Sequence, residues 1–228
     1  MNIEKINDLW LPSDDAQIEQ WREKGVPHMQ DKCLKSFLKY CESQNKKFKR
    51  VLDIGAWCGT WSIAMEKYIR NIDAFEPNKT NFACLEKNVA RFSDRIKSNR
   101  VAIGDKDGLI SLTDETATQN TRIKNEEGEI PMHTVDYFNY SDVDFIKIDV
   151  EGMEKAVLEG AKNTIEKLKP IIFVEILKSN PDEIHNTLSA LGYKIFPMGM
   201  NSLAVSEEDS TLKNLSTSAN KITIKSSK

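Results

Sequence analysis

From about residue 50 to residue 205 the apolar positions change period again and again. "RVLDIG", Arg50 to Gly55, is a short β-branched run that ends on an acid and a glycine. Behind it Trp61, Ala64, Met65, Tyr68 and Ile69 recur at i, i+3, i+4, i+7 and i+8, one face of a helix. "NIDAFEP" reads as a second strand, and Asn78 as the N-cap of a helix bearing Phe82, Leu85 and Val89. "IKSNRVAIGD" supplies a third strand. After residue 140 the alternation resumes with "VDFIKIDV", a helix over 152–168, "KPIIFVEIL", a helix near Pro181–Leu191, "GYKIF" and "NSLAV". Strands that alternate with helices predict an α/β fold: a mostly parallel sheet with helices on both faces.

Three stretches depart from this rhythm. Between Gly108 and Tyr140, "GLISLTD" and "EIPMHTVDYF" flank a polar loop; they predict an antiparallel insertion before the fourth strand, lying over the ligand side of the sheet. Residues 1–48 form an N-terminal extension of short helical pieces and one amphipathic helix with Leu34, Phe37, Leu38 and Cys41 on its face, a candidate substrate cap. Trp10 and Trp21 either close over the acceptor or anchor that extension. Residues 207–228 are rich in Ser, Lys and Thr and predict a loose tail, with "KITI" available as an edge strand. The main α/β domain is expected over 49–206.

The chain has 228 residues and a net charge of −3, ample for one core and without the basic excess that a nucleic-acid partner calls for. No apolar run approaches the ~18 residues of a membrane span, and "MNIEKINDLW" lacks a leader's apolar segment, so a cytoplasmic location is expected. The four cysteines have neither paired spacing nor a nearby histidine, which predicts reduced, largely buried thiols rather than zinc or disulfides. Oligomeric state stays open.

The chemistry begins at "VLDIGAWCGTWS". Gly55 and Gly59 stand as G-x-x-x-G, not as the G-x-G-x-x-G of dinucleotide dehydrogenases. A glycine at a strand end allows a tight turn and close approach of a ligand, and a helix N-terminus offers amides to a small charged group. Asp53, Gly55, Ala56, Trp57 and Gly59 are the expected contacts there. Glu76 and Pro77 close the next strand, where a carboxylate can accept two ribose hydroxyls. In "VAIGDKDG", Ala102 can pack on an adenine ring and Asp105 can meet its amine. Together these predict an adenosine-type cofactor.

The set "VLDIGAWCGTWS", "AFEPN", "VAIGDKDG", "TVD", "DFIKIDVEGMEKAVLEGA", "IIFVE" and "LGYKIF" resembles the FkbM-type family of S-adenosylmethionine-dependent methyltransferases, over roughly Arg50 to Val205. Its most specific element is Lys-x-Asp-x-Glu-Gly-x-Glu ahead of "VLEGA". Trp57 and Cys58 differ from the smaller or polar residues usual in that loop. The resemblance implies a Rossmann-like class I methyltransferase with a seven-stranded sheet whose last strand is antiparallel. It also implies S-adenosylmethionine as cofactor and O-methylation of a sugar, glycan or small natural product.

Methyl transfer to a hydroxyl needs alignment and removal of a proton, by a base or a metal. The fourth strand ends in Asp149, Val150 and Glu151, at the edge where ligands of parallel sheets bind. Lys147 shares a face with Asp149 and can hold its charge. Asp149, Glu151, Glu175 and His133 are candidate bases, and three carboxylates at adjacent strand ends can also hold a divalent metal. Three of the candidate bases have a structural alternative: Glu151 as a helix start, Glu175 as the partner of Lys147, His133 as a strand histidine. Trp57 and Trp61 can stack on a ligand, with core packing the alternative for Trp61. An amine or protein side chain as acceptor, and a non-catalytic nucleotide-binding module, are the competing functions.

Overall fold

The computed structural model describes residues 2–25, 32–113, 123–218 and 221–224. Strands β1 (Ile3–Ile6) and β2 (Leu9–Pro12) form a hairpin, followed by helices α1 (Ile18–Lys24) and α2 (Lys32–Ser43). Then come β3 (Phe48–Ile54), α3 (Thr60–Met65), β4 (Ile69–Phe75), α4 (Lys79–Val89) and β5 (Ile96–Asn99). The insertion holds β6 (Ala102–Ile103), β7 (Gly108–Leu112) and β8 (Ile123–His133). The second half runs β9 (Val143–Ile148), α5 (Glu154–Gly160), α6 (Lys162–Leu168), β10 (Ile171–Glu175) and α7 (Pro181–Ala190). It continues with β11 (Tyr193–Met198), β12 (Asn201–Ser206), β13 (Leu215–Ser218) and β14 (Lys221–Ile224).

The central sheet has seven strands in the order β11-β12-β10-β9-β3-β4-β5. Its core pairings are parallel, and β12 runs antiparallel to both β10 and β11. The α/β prediction and its reversed strand are thus observed. Strand alternation sends successive residues to opposite layers. Val51, Ala74, Phe145 and Phe173 meet α2, α3 and α4 through Leu34, Phe37, Met65 and Leu85. Leu52, Ile54, Ile146, Ile148 and Val174 meet α5, α6 and α7 through Val157, Leu158, Ile165, Ile184 and Leu188. Strands covered on both faces read as unbroken apolar runs, which is why β3, β9 and β10 stood out in the sequence.

Several elements differ from expectation. The N-terminal extension begins as a β-hairpin, because Asn7 and Asp8 take φ of 47° and 70°, the left-handed pair that a two-residue turn requires. The third strand divides: β5 joins the central sheet, while β6 pairs with β8 in a separate three-stranded sheet of order β6-β8-β7. That insertion has its own apolar cluster of Ala102, Ile110, Leu112, Ile130 and Met132. One anchor is on the α5–α6 flank. The backbone of Gly104 touches Gly160, where a Cβ would fall 2.0 Å from the Gly104 carbonyl oxygen. Helix α3 stops at Met65, and Ile69 opens β4 instead.

The helix expected over 152–168 breaks at Ala161, and α6 has no cap from its own chain neighbours. Asp136 supplies one, accepting from the amides of Asn163 and Thr164 at 2.9 and 2.8 Å and from the Thr164 hydroxyl at 2.7 Å. The described part of the tail is not loose: β13 pairs antiparallel with β14, and Leu215 is buried in the α2-side core. Among the described residues no helix is long and apolar enough to cross a membrane.

Candidate active site

The loop after β3 is a tight backbone knot. Gly55 has φ +78°, and a Cβ there would lie 1.8 Å from the carbonyl oxygen of Asp149, so the ends of β3 and β9 approach as only glycine permits. The amides of Gly55 and Ala56 both donate to the Phe75 carbonyl, at 3.0 and 2.9 Å. The Gly59 amide donates to Ala56 at 2.8 Å, and the Trp57 amide to the Glu76 carboxylate at 2.9 Å. The free amides expected for a ligand are therefore occupied within the protein, and α3 spans only six residues. The physical reason is burial: backbone donors out of reach of water must be satisfied locally.

Glu76 sits at the end of β4, 6% exposed. One oxygen accepts from Trp57, the other from the Asn78 amide at 2.9 Å and the Asn81 carboxamide at 3.5 Å. Burial pushes its carboxyl up to about 7, against the amides of Asn78 and Trp57, which favour the charged form. Glu76 thus organises the glycine loop. Pro77, half-buried, ends the strand, and Asn78 caps α4 through its side chain, as expected.

Asp53 is not at the loop surface. It is wholly buried, accepting from the Ser62 hydroxyl at 2.6 Å and facing Lys147 Nζ at 3.2 Å. Register explains this: Asp53 pairs with Lys147 across β3 and β9, inside the sheet. Lys147 Nζ also donates to the Gly55 carbonyl at 2.6 Å and lies 3.4 Å from Asp149. Burial pulls the ammonium down, but Asp53 and Asp149 outweigh it and hold Lys147 above its ordinary value. One buried lysine therefore ties the glycine loop, β3 and β9 together.

Asp149 is the exposed end of that chain, with a side chain 40% accessible. Glu175, at the end of the adjacent β10, lies close enough to feel the Asp149 charge. Burial, then the charges of Asp149 and Glu151, push Glu175 up to about 7. Glu151 takes φ +61°, unusual for a non-glycine, and pairs with Lys178. A residue that sequence reasoning passed over holds this bend. Glu154, 1% exposed, accepts from the amides of Val150 and Gly152 at 3.2 and 3.1 Å and from the Ser179 hydroxyl. The second acid of Glu-Gly-x-Glu was its only signal.

The remaining expected residues lie elsewhere. His133 contacts Asp107 at 3.1 Å and stacks on Tyr137 at 3.9 Å, both in or beside the insertion. Ala102 packs its methyl into the insertion's own apolar cluster instead of offering it to a ring, while Asp105 is exposed. Trp61 packs on Phe145 at 6.0 Å, as core. Trp57, at φ +50°, lies 5.2 Å from Trp21, and its indole N–H is buried with no hydrogen-bond acceptor among the described residues. Cys41, Cys58 and Cys84 are buried free thiols; the Cys33 side chain lies outside the described residues. Among the described residues no group of three or more His, Cys, Asp or Glu has the arrangement to hold a metal ion.

Against known proteins, residues 53–195 match the model of the methyltransferase FkbM domain. The crystal structure of a methyltransferase FkbM from Methylobacillus flagellatus KT is similar, with 19% identity and a TM-score of 0.54 over 69% of this chain. The chain spans 43% of the length of that protein. Magnesium protoporphyrin IX methyltransferase from Synechocystis PCC 6803, solved with bound SAM, has a TM-score of 0.52 at 9% identity, over 86% of this chain and 93% of its own. At such identities the two structures speak for the fold. No curated protein matches the chain.

Proposed function

The chain belongs to the FkbM methyltransferase family, and on that premise we propose that it methylates a hydroxyl of a small-molecule or carbohydrate acceptor from S-adenosylmethionine. The observation that carries the acceptor side is the pair of carboxyl groups, Asp149 and Glu175, on adjacent strand ends, with Glu175 pushed up to about 7. A general base works best when its proton affinity matches the working pH. Glu175 takes the hydroxyl proton. Asp149, its charge balanced by Lys147 at 3.4 Å, orients the acceptor.

The cofactor side fits an adenosyl group at the glycine loop. The buried Trp57 indole N–H, without an acceptor among the described residues, is a donor in need of a partner, on the residue whose backbone amide donates to Glu76. Glu76 retains one unused lone pair, on the oxygen that accepts from Trp57, for a ribose hydroxyl, since each carboxylate oxygen can accept twice. Gly55, Ala56 and Gly59 shape the floor; Asp105 stands open on the β6 side as a contact for the adenine amine. When bound, S-adenosylmethionine supplies a methyl group already activated by its sulfonium. A metal has no part in this reading, because Lys147 and Lys178 already occupy the carboxylates of Asp149 and Glu151.

A second reading replaces the hydroxyl by an amine. The charges of Asp149 and Glu151, although each has a lysine partner, still raise Glu175, and a cationic acceptor beside Glu175 would relieve that repulsion. The experiment is a thermal-shift titration with S-adenosylhomocysteine and with NAD, followed by an acceptor screen reading S-adenosylhomocysteine release. A shift with S-adenosylhomocysteine and turnover on hydroxyl compounds is expected. A shift with NAD alone overturns the cofactor, and turnover on amines alone establishes the second reading. Glu175→Gln is expected to lose turnover while keeping the shift.

A further inference from the structure

Residues 3–24 lie outside the part of the chain that matches the family model, yet they are built onto the cofactor loop. Ile6, Leu9, Leu11, Ile18 and Trp21 form one apolar cluster with Cys58 of the glycine loop and Cys84 of α4. Leu11 is wholly buried and Trp21 is 4% exposed, so this is core packing and not a loose extension. The cluster reaches the loop at two points.

The first is Asn88, buried on α4. Its carboxamide oxygen accepts from the Trp10 amide at 2.6 Å, and its nitrogen donates to the carbonyls of Trp10 and Cys58, both at 2.8 Å. One side chain thus bolts β2 to the glycine loop. The second is Trp21, which lies tilted at 59° against Trp57. Trp57 is the loop residue whose amide meets Glu76, and it holds a left-handed backbone that a bulky side chain disfavours. Such a conformation persists only where the surroundings impose it. Glu76 holds its amide and Trp21 packs against its ring.

We propose that the segment Ile3–Lys24 is a roof coupled to cofactor binding, with Asn88 and Trp21 as residues that position the glycine loop. The proposal rests on the reading that the adenosyl group binds at Glu76 and Trp57. The roof keeps Trp57 in its strained form, so the loop meets the cofactor already shaped. By linkage the cofactor, gripping the same loop, must tighten the roof by the same factor. This places the N-terminal segment on the cofactor side, whereas the sequence suggested a cap over the acceptor.

The test is hydrogen exchange on the full chain, with and without saturating S-adenosylhomocysteine, alongside calorimetric affinities. Exchange across residues 3–24 is expected to slow roughly tenfold when the ligand binds, and Asn88→Ala and Trp21→Ala to weaken binding by about the same factor. Trp21→Phe, which keeps a ring against Trp57, is expected to restore most of that affinity. A merely structural segment would lose stability on substitution but would not respond to the ligand. Should the wild-type chain bind S-adenosylhomocysteine with exchange in 3–24 unchanged, the coupling falls and the cofactor reading stands. Should it not bind at all, both fall. The exchange arm uses no variant and so decides the matter even if a substituted chain fails to fold.

Discussion

At the scale of single residues, the site is organised by charges that cannot reach water. Lys147 is buried between Asp53 and Asp149, so deleting it leaves the wholly buried Asp53 carboxylate uncompensated. Lys147→Ala is expected to cost about 3–5 kcal/mol in a urea melt, and adding Asp53→Asn to recover a large part, because neutralising both members removes the unpaired charge. Glu175 makes a prediction of a different kind. Its folded-state value is raised from 4.5 to about 7, so the folded chain binds that proton more tightly than the unfolded chain. Its contribution to stability is therefore full below about pH 4.5 and is lost as the pH rises through about 7. If Glu175 is the base, turnover runs the opposite way, rising through about 7 as the proton leaves. Melting temperatures and initial rates across this window are expected to diverge in the wild-type chain, and the melting slope to flatten in Glu175→Gln.

Among the elements, contacts from distant chain segments decide where helices begin and end. The apolar stripe Met153, Val157, Leu158, Ala161, Ile165 and Leu168 has the spacing of one long helix. The close approach of Gly160 to Gly104 coincides with the break, and Asp136 takes over the exposed amides of α6. Asp136 sits in "TVD", a stretch whose place in the family pattern was readable but whose task was not. Asp136→Ala removes a cap of three hydrogen bonds, and a loss of about 1–2 kcal/mol is expected in chemical denaturation. The insertion shows the same dependence. Its strands were legible from their composition, but β6 looked like a continuation of β5 because nothing local marks a change of sheet.

For the molecule as a whole, the family-matched residues 53–195 form a core that is finished by chain on either side. The tail returns to α2: Lys46 pairs with Asp209, the Tyr40 hydroxyl reaches the Thr211 carbonyl at 3.4 Å, and Leu215 is 6% exposed in the core. Leu215→Ala is accordingly expected to cost roughly 2 kcal/mol, at the low end for a buried leucine near an edge, measurable by thermal or urea unfolding. EDTA is expected to leave S-adenosylhomocysteine release unchanged, since Asp149 and Glu151 already pair with Lys147 and Lys178; a chelator-sensitive rate restored by Mg²⁺ would reverse that assignment. The alternation of strand and helix around β3, β4, β9 and β10, the glycines at the first turn and the acids at the strand ends were determined by the sequence alone. Period and turn chemistry are local properties, carried by residues a few positions apart. Only the tertiary structure decided that the loop amides serve Phe75 and Glu76, that Asp53 lies inside the sheet, that Glu154 accepts from the bend after β9, and that Asn88 and Trp21 join the N-terminal segment to the glycine loop. Those outcomes depend on which buried groups find partners across tens of residues, and no local pattern encodes such a pairing.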